Sequence, residues 1–162
     1  MLLKLYLDSS VVVKRYVTEP GSGAVDDVFS SANAGKVRIA TSLWNFGEVL
    51  GVLDERLQRK WLTEGEFNRS LRNFASETVK LIRLRILEIV PVFTPILMET
   101  WALILDKHIY EADALQIGSC KYLGGDVLLS GDYKLVTIAS KLGLKALDVK
   151  DEDKVRGLLS GS

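Results

Sequence analysis

The sequence predicts an α/β fold on a parallel sheet, from two observations. Short apolar runs of strand composition alternate with longer stretches of helical periodicity, and turn and capping residues fall between them. Five runs read as strands: 3–7, 37–41, 86–92, 126–130 and 144–148. Helical patterns cover 10–16, 22–34, 42–60, 63–84, 95–107, 111–123 and 131–142, with a last helix at 150–159. The 162 residues suit one domain, 1–162, with a substantial core, and no repeat, low-complexity tract or long linker divides them.

The first strand, "KLYL", stops at Asp8, and the run Val11–Val13 then continues with helical length. "TEPGSG", 18–23, is a turn cluster before the second helix. In the helix at 42–60 the stripe Leu43, Phe46/Gly47, Leu50, Leu53 and Leu57 is expected to face the core. "TEGE", 63–66, is a capping box with Thr63 as N-cap and Glu66 reaching back. The helix it opens is expected to pack on one side only, so that 42–85 forms a protruding helical pair. "TP", 94–95, puts proline at a helix's first position, and "YLGGD", 122–126, ends a helix at glycine.

Composition excludes several classes. Charge balances at 21 basic and 21 acidic residues, which argues against a globally basic nucleic-acid binder but leaves room for a local patch. Cys120 is the only cysteine, so there is no internal disulfide and no thiolate cage; its apolar neighbours suggest a packed thiol. The greasy stretch 86–105 carries Glu88, Glu99, Pro91 and Pro95, against a membrane span. The start "MLLKLYLD" is too short for a signal peptide, so the expectation is a soluble, cytoplasmic chain with no membrane partner.

Four carboxylates fit poorly with a purely structural account. Asp8 ends the first strand, and Asp132 follows the fourth by one glycine. Asp113 opens an otherwise apolar helix, and Glu48 lies among apolar and small residues with no Lys or Arg at 44, 45, 51 or 52. Each Asp alone could be a helix cap or a first-turn anion. Glu48 needs another explanation, because an unpaired buried charge costs several kcal/mol. Ligand sites of open α/β sheets lie at the carboxyl ends of strands, where strand order reverses. Clustered carboxylates repel, and Mg²⁺ or Mn²⁺, which take oxygen ligands, would remove that penalty. Such a site can hydrolyse a phosphodiester without histidine. The one histidine, His108, reads as a helix-end or surface residue.

These residues resemble the PIN-domain ribonucleases, of the toxin kind found in VapBC toxin–antitoxin pairs. "LYLDSSVVVKRYVTEPGS" resembles the family's first strand, first acid and Glu-Pro-Gly turn, and "TSLWNFGEVLGVL" its second-acid helix. "YEADALQIGSCKYLGGDVLLSGDYKL" resembles the third-acid helix, fourth strand and closing acid, and "ASKLGLKALDV" the last helix and strand, so that 1–148 is covered. The resemblance implies a five-stranded parallel sheet of order 3-2-1-4-5 with helices on both faces. It implies Mg²⁺- or Mn²⁺-dependent cleavage of single-stranded RNA, leaving 5′-phosphate and 3′-hydroxyl ends. Asp8 and Asp113 would be the principal ligands, Glu48 would help place the attacking water, and Asp132 would hold a second metal or a water-mediated contact. Ser9 and Ser130 would orient carboxylates or waters. A homodimer and a cognate antitoxin are further implied partners. Ala112 departs from the family, which often has Tyr there.

The segment 56–85 has eight basic residues against three acidic, a local charge of +5. Of these, Arg56, Arg59, Arg69 and Arg72, with Lys14 and Arg15 beside the first acid, are candidates for contacting RNA phosphates. Trp44, Trp61 and Trp101 are expected in the core or an interface, with Trp101 joined by Ile96, Leu97, Leu103 and Ile104 at a dimer contact. Two other readings compete. One is an aspartate-nucleophile phosphatase, disfavoured because Ser10 stands where a second Asp is needed. The other is an RNA-processing factor or non-catalytic binding module of the same fold.

Overall fold

The computed structural model describes residues 2–161. Along β1 (Leu3–Leu7), Leu5 and Leu7 face one side of the sheet and Tyr6 the other, as strand geometry requires. Both faces therefore need cover. The chain supplies it through α1 (Ser9–Tyr16), α2 (Ser22–Asn33), β2 (Val37–Ser42), α3 (Trp44–Gln58), α4 (Glu64–Arg83), β3 (Leu87–Val90) and α5 (Thr94–Lys107). It continues through α6 (Glu111–Tyr122), β4 (Val127–Ser130), α7 (Tyr133–Lys141), β5 (Ala146–Asp148) and α8 (Glu152–Ser160). The strands form one parallel sheet of order β3-β2-β1-β4-β5, as expected. β3 and β5 are shorter than their apolar runs, and Pro91, without an N–H to donate, follows the last residue of β3.

On one face Leu5, Leu7 and Ile39 pack with Val11, Val25, Val28, Val49, Leu53, Phe74, Leu81 and Val155 from α1, α2, α3, α4 and α8. On the other, Tyr6, Ala40 and Leu128 meet Ile117 and Cys120 of α6 and Leu135 and Ala139 of α7. Val90, Ile96 and Leu115 form a smaller cluster where α5 and α6 reach β3. Each fully buried leucine or isoleucine contributes on the order of 2 kcal/mol. Cys120 is the packed thiol expected, with burial pushing its pKa up to about 12.

α3 corrects the expected stripe. Asn45, Val49 and Leu53 face inward, with Phe46 and Val52 beside them, while Leu43, Trp44 and Leu50 are exposed. Asn45 explains the rotation: its side chain is fully buried and bonded to the carbonyl of Leu7 at 3.0 Å, fixing which side of the helix meets β1. The three tryptophans likewise lie outside the core of the chain, at 48%, 67% and 57% exposure for Trp44, Trp61 and Trp101. Ile96 is a core residue, and the outward face of α5 carries Met98, Trp101 and Leu105 instead. α4 opens with the full Thr63–Glu66 capping box and buries Ser70, Phe74, Thr78 and Leu81, the one-sided packing expected of it. Among the described residues no helix is long and apolar enough to cross a membrane.

Candidate active site

β1 and β4 lie side by side at the point where strand order reverses, and the backbone N–H of Asp8 still donates to Leu129 of β4. Asp8 is both helix cap and buried acid. Its Oδ1 accepts from the backbone of Val11 at 2.9 Å and from Ser10 Oγ at 2.6 Å, and its Oδ2 accepts from Ser130 Oγ. The two hydroxyls in turn accept N–H groups from the loop after β4: Gly131 on Ser10 at 2.7 Å and Asp132 on Ser130 at 2.9 Å. One carboxylate thus ties the ends of two strands together. At Gly131 a Cβ would lie 2.6 Å from Lys14 Cε, so a side chain there would displace the end of Lys14. Asp8 is 4% exposed, and burial, with a smaller push from Glu48, raises its pKa to about 6 against its three hydrogen bonds.

Glu48 on α3, Asp113 in the first turn of α6 and Asp132 at the N-cap of α7 line one cavity with Asp8, of about 590 Å³. Asp132 accepts the backbone N–H of Lys134 at 2.7 Å. The pKa of Asp113 is raised from its ordinary value by burial first, then by the charges of Asp132 and Glu48, with Lys134 partly opposing. Among the described residues no ion pair includes any of these four acids. Their donor set is all oxygen, which suits a hard divalent cation. Among the described residues, however, no three His, Cys, Asp or Glu side chains already converge as a ligand cluster.

Of the two hydroxyls proposed from sequence, Ser130 binds Asp8 while Ser9 lines the cavity; the α1 hydroxyl on Asp8 is Ser10. The pair "SS" after an Asp leaves this choice to the helix phase. Gln116, a polar side chain in the apolar run "ALQIG", donates to Glu48 Oε2 at 3.1 Å, a partnership that no spacing in the sequence reveals. His108 is the exposed helix end expected, in a left-handed conformation (φ 52°) at the C-cap of α5. Folding also makes it part of the cavity wall, with Tyr110 and Lys134, and Ala112 lies in the same wall.

The basic candidates divide. Lys14 is buried, 3.3 Å from Glu19, and Arg56 reaches the same carboxylate at 3.0 Å. Arg15 binds Glu77 through Nη2 at 2.8 Å and Nε at 3.0 Å, and Asp26 at 2.6 Å. These three cations serve the fold's own acids. Arg59 pairs with Glu55 at 2.6 Å and lies over the Trp61 ring, while Arg69 and Arg72 are exposed on α4.

The sequence profile of the PIN domain matches residues 5–141, which contain all four acids. The chain belongs to the PIN-domain family. Solved structures share this PIN fold. The structure of PAE2754 from Pyrobaculum aerophilum has a TM-score of 0.65 at 15% identity, covering 100% of this chain and 98% of its own. VapC20 from Mycobacterium tuberculosis, described as a sarcin-ricin loop cleaving toxin, has a TM-score of 0.58 at 16% identity, covering 86% and 95%. VapBC2 from Rickettsia felis, solved bound to a DNA fragment from its promoter, has a TM-score of 0.59 at 15% identity, covering 90% and 98%. Among curated proteins none matches the chain. In this PIN domain the acids occupy the carboxyl edge of the sheet, around the β1–β4 boundary.

Proposed function

We propose that this PIN domain is a metal-dependent endoribonuclease that hydrolyses single-stranded RNA with Mg²⁺ or Mn²⁺. The observation that carries the reading is the cavity at the strand-order reversal, lined by Asp8, Glu48, Asp113 and Asp132, none ion-paired among the described residues and two with raised pKa. Asp8 and Asp113 would be the principal ligands, with Glu48 and Asp132 completing the set. A divalent ion held there supplies polarisation of a phosphodiester oxygen and activation of water. Ser10 and Ser130 hold the Asp8 carboxylate in one rotamer through its two oxygens. Glu48 orients the attacking water. His108, Tyr110 and Lys134 give the wall a partly basic, partly aromatic surface for RNA.

VapC20 is described as a sarcin-ricin loop cleaving toxin, and that likeness supports a toxin role for this chain with a cognate antitoxin protein as partner. The exposed apolar side chains of α3, its N-cap and α5, Leu43, Trp44, Leu50, Met98, Trp101 and Leu105, support a homodimer. A monomeric mass in solution would refute it.

A second reading is an RNA- or partner-binding module that keeps the acids without cutting. It is favoured by the absence, among the described residues, of three converged ligands. One experiment separates the two: incubate mixed-sequence single-stranded RNA with wild type and Asp113→Asn, with Mn²⁺ or EDTA. Cleavage requiring both the metal and Asp113 supports the nuclease. Intact RNA with folded wild type and Mn²⁺ supports the binding module.

A further inference from the structure

Behind the acids runs a buried chain of amides whose polarity is set by the backbone. The carbonyl of Leu7 can only accept. It takes Asn45 Nδ2 at 3.0 Å and Thr41 Oγ1 at 2.8 Å, and Asn45 Nδ2 also donates to Thr41 Oγ1 at 2.9 Å. Asn45 must therefore turn its Oδ1 away from β1, toward α6. There it accepts Gln116 Nε2 at 2.6 Å. That fixes the Gln116 amide in turn: Oε1 faces the Tyr6 hydroxyl, which donates at 2.8 Å, and the amide nitrogen also donates to Glu48 Oε2 at 3.1 Å. Tyr6, Asn45 and Gln116 are at most 3% exposed, so no reversed arrangement satisfies every group without water.

We infer that Gln116 is a positioning residue, which aims the Glu48 carboxylate into the acid cavity through an amide chain anchored on the Leu7 carbonyl. The inference rests on the proposed metal site. The anchoring residue is the one before Asp8, so the same stretch of β1 places the first acid and, through two amides, the second. Glu48 comes from α3 and Asp8 from the sheet; the amide chain is what keeps the two in register. A fully satisfied buried network has one low-energy arrangement, which suits this role.

The test is Mn²⁺ affinity, by calorimetry or by the loss of the free-ion electron-spin signal, with the metal-free melting temperature measured alongside. Gln116→Met keeps the volume and removes the amide; Gln116→Asn keeps an amide that is one methylene short, in case the first does not fold. Either should weaken Mn²⁺ binding about tenfold or more, the scale of losing a group that orients a metal ligand. Phe29→Leu, a core change on the opposite face of the sheet, should lower the melting temperature without that loss. In a Glu48→Gln background, Gln116→Met should weaken Mn²⁺ binding no further, because its target carboxylate is gone. Unchanged Mn²⁺ affinity in folded Gln116 variants, with Asp113→Asn still abolishing binding, would overturn the inference and leave the metal site standing. An affinity loss from Gln116→Met as large in the Glu48→Gln background as in wild type would overturn it equally. Wild type that binds no Mn²⁺ would overturn both.

Discussion

Asp8 and Glu77 are two carboxylates drawn into the same protein and treated in opposite ways. Glu77, on α4, meets the Arg15 guanidinium at two points and the Tyr16 hydroxyl at 3.0 Å. Burial pulls its pKa upward, but those partners outweigh burial and hold it below the ordinary value. Asp8 receives three hydrogen bonds and no cation among the described residues, and burial keeps it raised, at about 6. The fold thus has cations within reach: Lys14 lies nearly two turns along α1, and it is given to Glu19. Glu77 is neutralised by its neighbours, whereas the four acids around the cavity have no cationic partner among the described residues.

The largest effect expected from breaking this contrast is chemical. Asp113→Asn should lower metal-dependent RNA cleavage on the order of a hundredfold or more, the scale of removing one preorganised electrostatic group, without lowering the melting temperature of the metal-free protein. Cleavage within a few-fold of wild type would remove Asp113 from the site.

Next comes pH. The folded pKa of Asp8 lies above its unfolded value of 3.8, at about 6, so the folded state binds the extra proton between them. Stability of the metal-free protein should therefore fall as pH rises through this window, by on the order of 3 kcal/mol from Asp8 alone. Asp8→Asn, melted in EDTA, should match wild type near pH 4 and exceed it at pH 7; parallel curves would contradict the burial account.

Glu77 has the opposite sign: its folded pKa is lowered, so its contribution is present above the unfolded value and is lost as pH falls through the folded one. Arg15→Met should cost about 1–3 kcal/mol in urea unfolding at pH 7, less than a fully buried pair because both side chains keep some solvent contact. No loss would mean that Tyr16 suffices.

Filling the acid cavity should also move stability. Mn²⁺ at a hundred times its dissociation constant should stabilise wild type by about 2.7 kcal/mol through mass action, and should do little for Asp113→Asn. The smallest effect concerns the exposed cations of α4. Arg69→Glu with Arg72→Glu should reduce cleavage roughly threefold and flatten its salt dependence, as expected of phosphate contacts. An unchanged salt slope would assign these arginines to solvation.

Much of this was legible in the chain. Strand runs bounded by turn residues located all five strands, because period and punctuation are local properties. The four acids stood out because each occupies a place where a charge is costly or unneeded, and folding puts all four around one cavity. The phase of α3 was not legible. A leucine stripe is the ordinary guide to the inner face, but here Asn45 binds the Leu7 carbonyl and turns Leu43 and Leu50 outward. A hydrogen bond across 38 residues leaves no periodic trace. The same holds for Lys14, Arg15 and Arg56, whose acidic partners, Glu19, Glu77 and Asp26, lie on neighbouring turns and helices. His108 read as a surface residue and is one, but only the turn into α6 makes that surface a wall of the acid cavity.

By itself, then, the sequence determined the layered α/β architecture and singled out the four candidate acids, since hydrophobic period, caps and misplaced charge are written residue by residue. Only the tertiary structure decided which hydroxyl holds Asp8, which cations are already taken, and that Gln116 stands behind Glu48. Those are partnerships between groups distant in the chain, and they exist only once the sheet has brought β1 and β4 together and set α3 and α6 behind their ends.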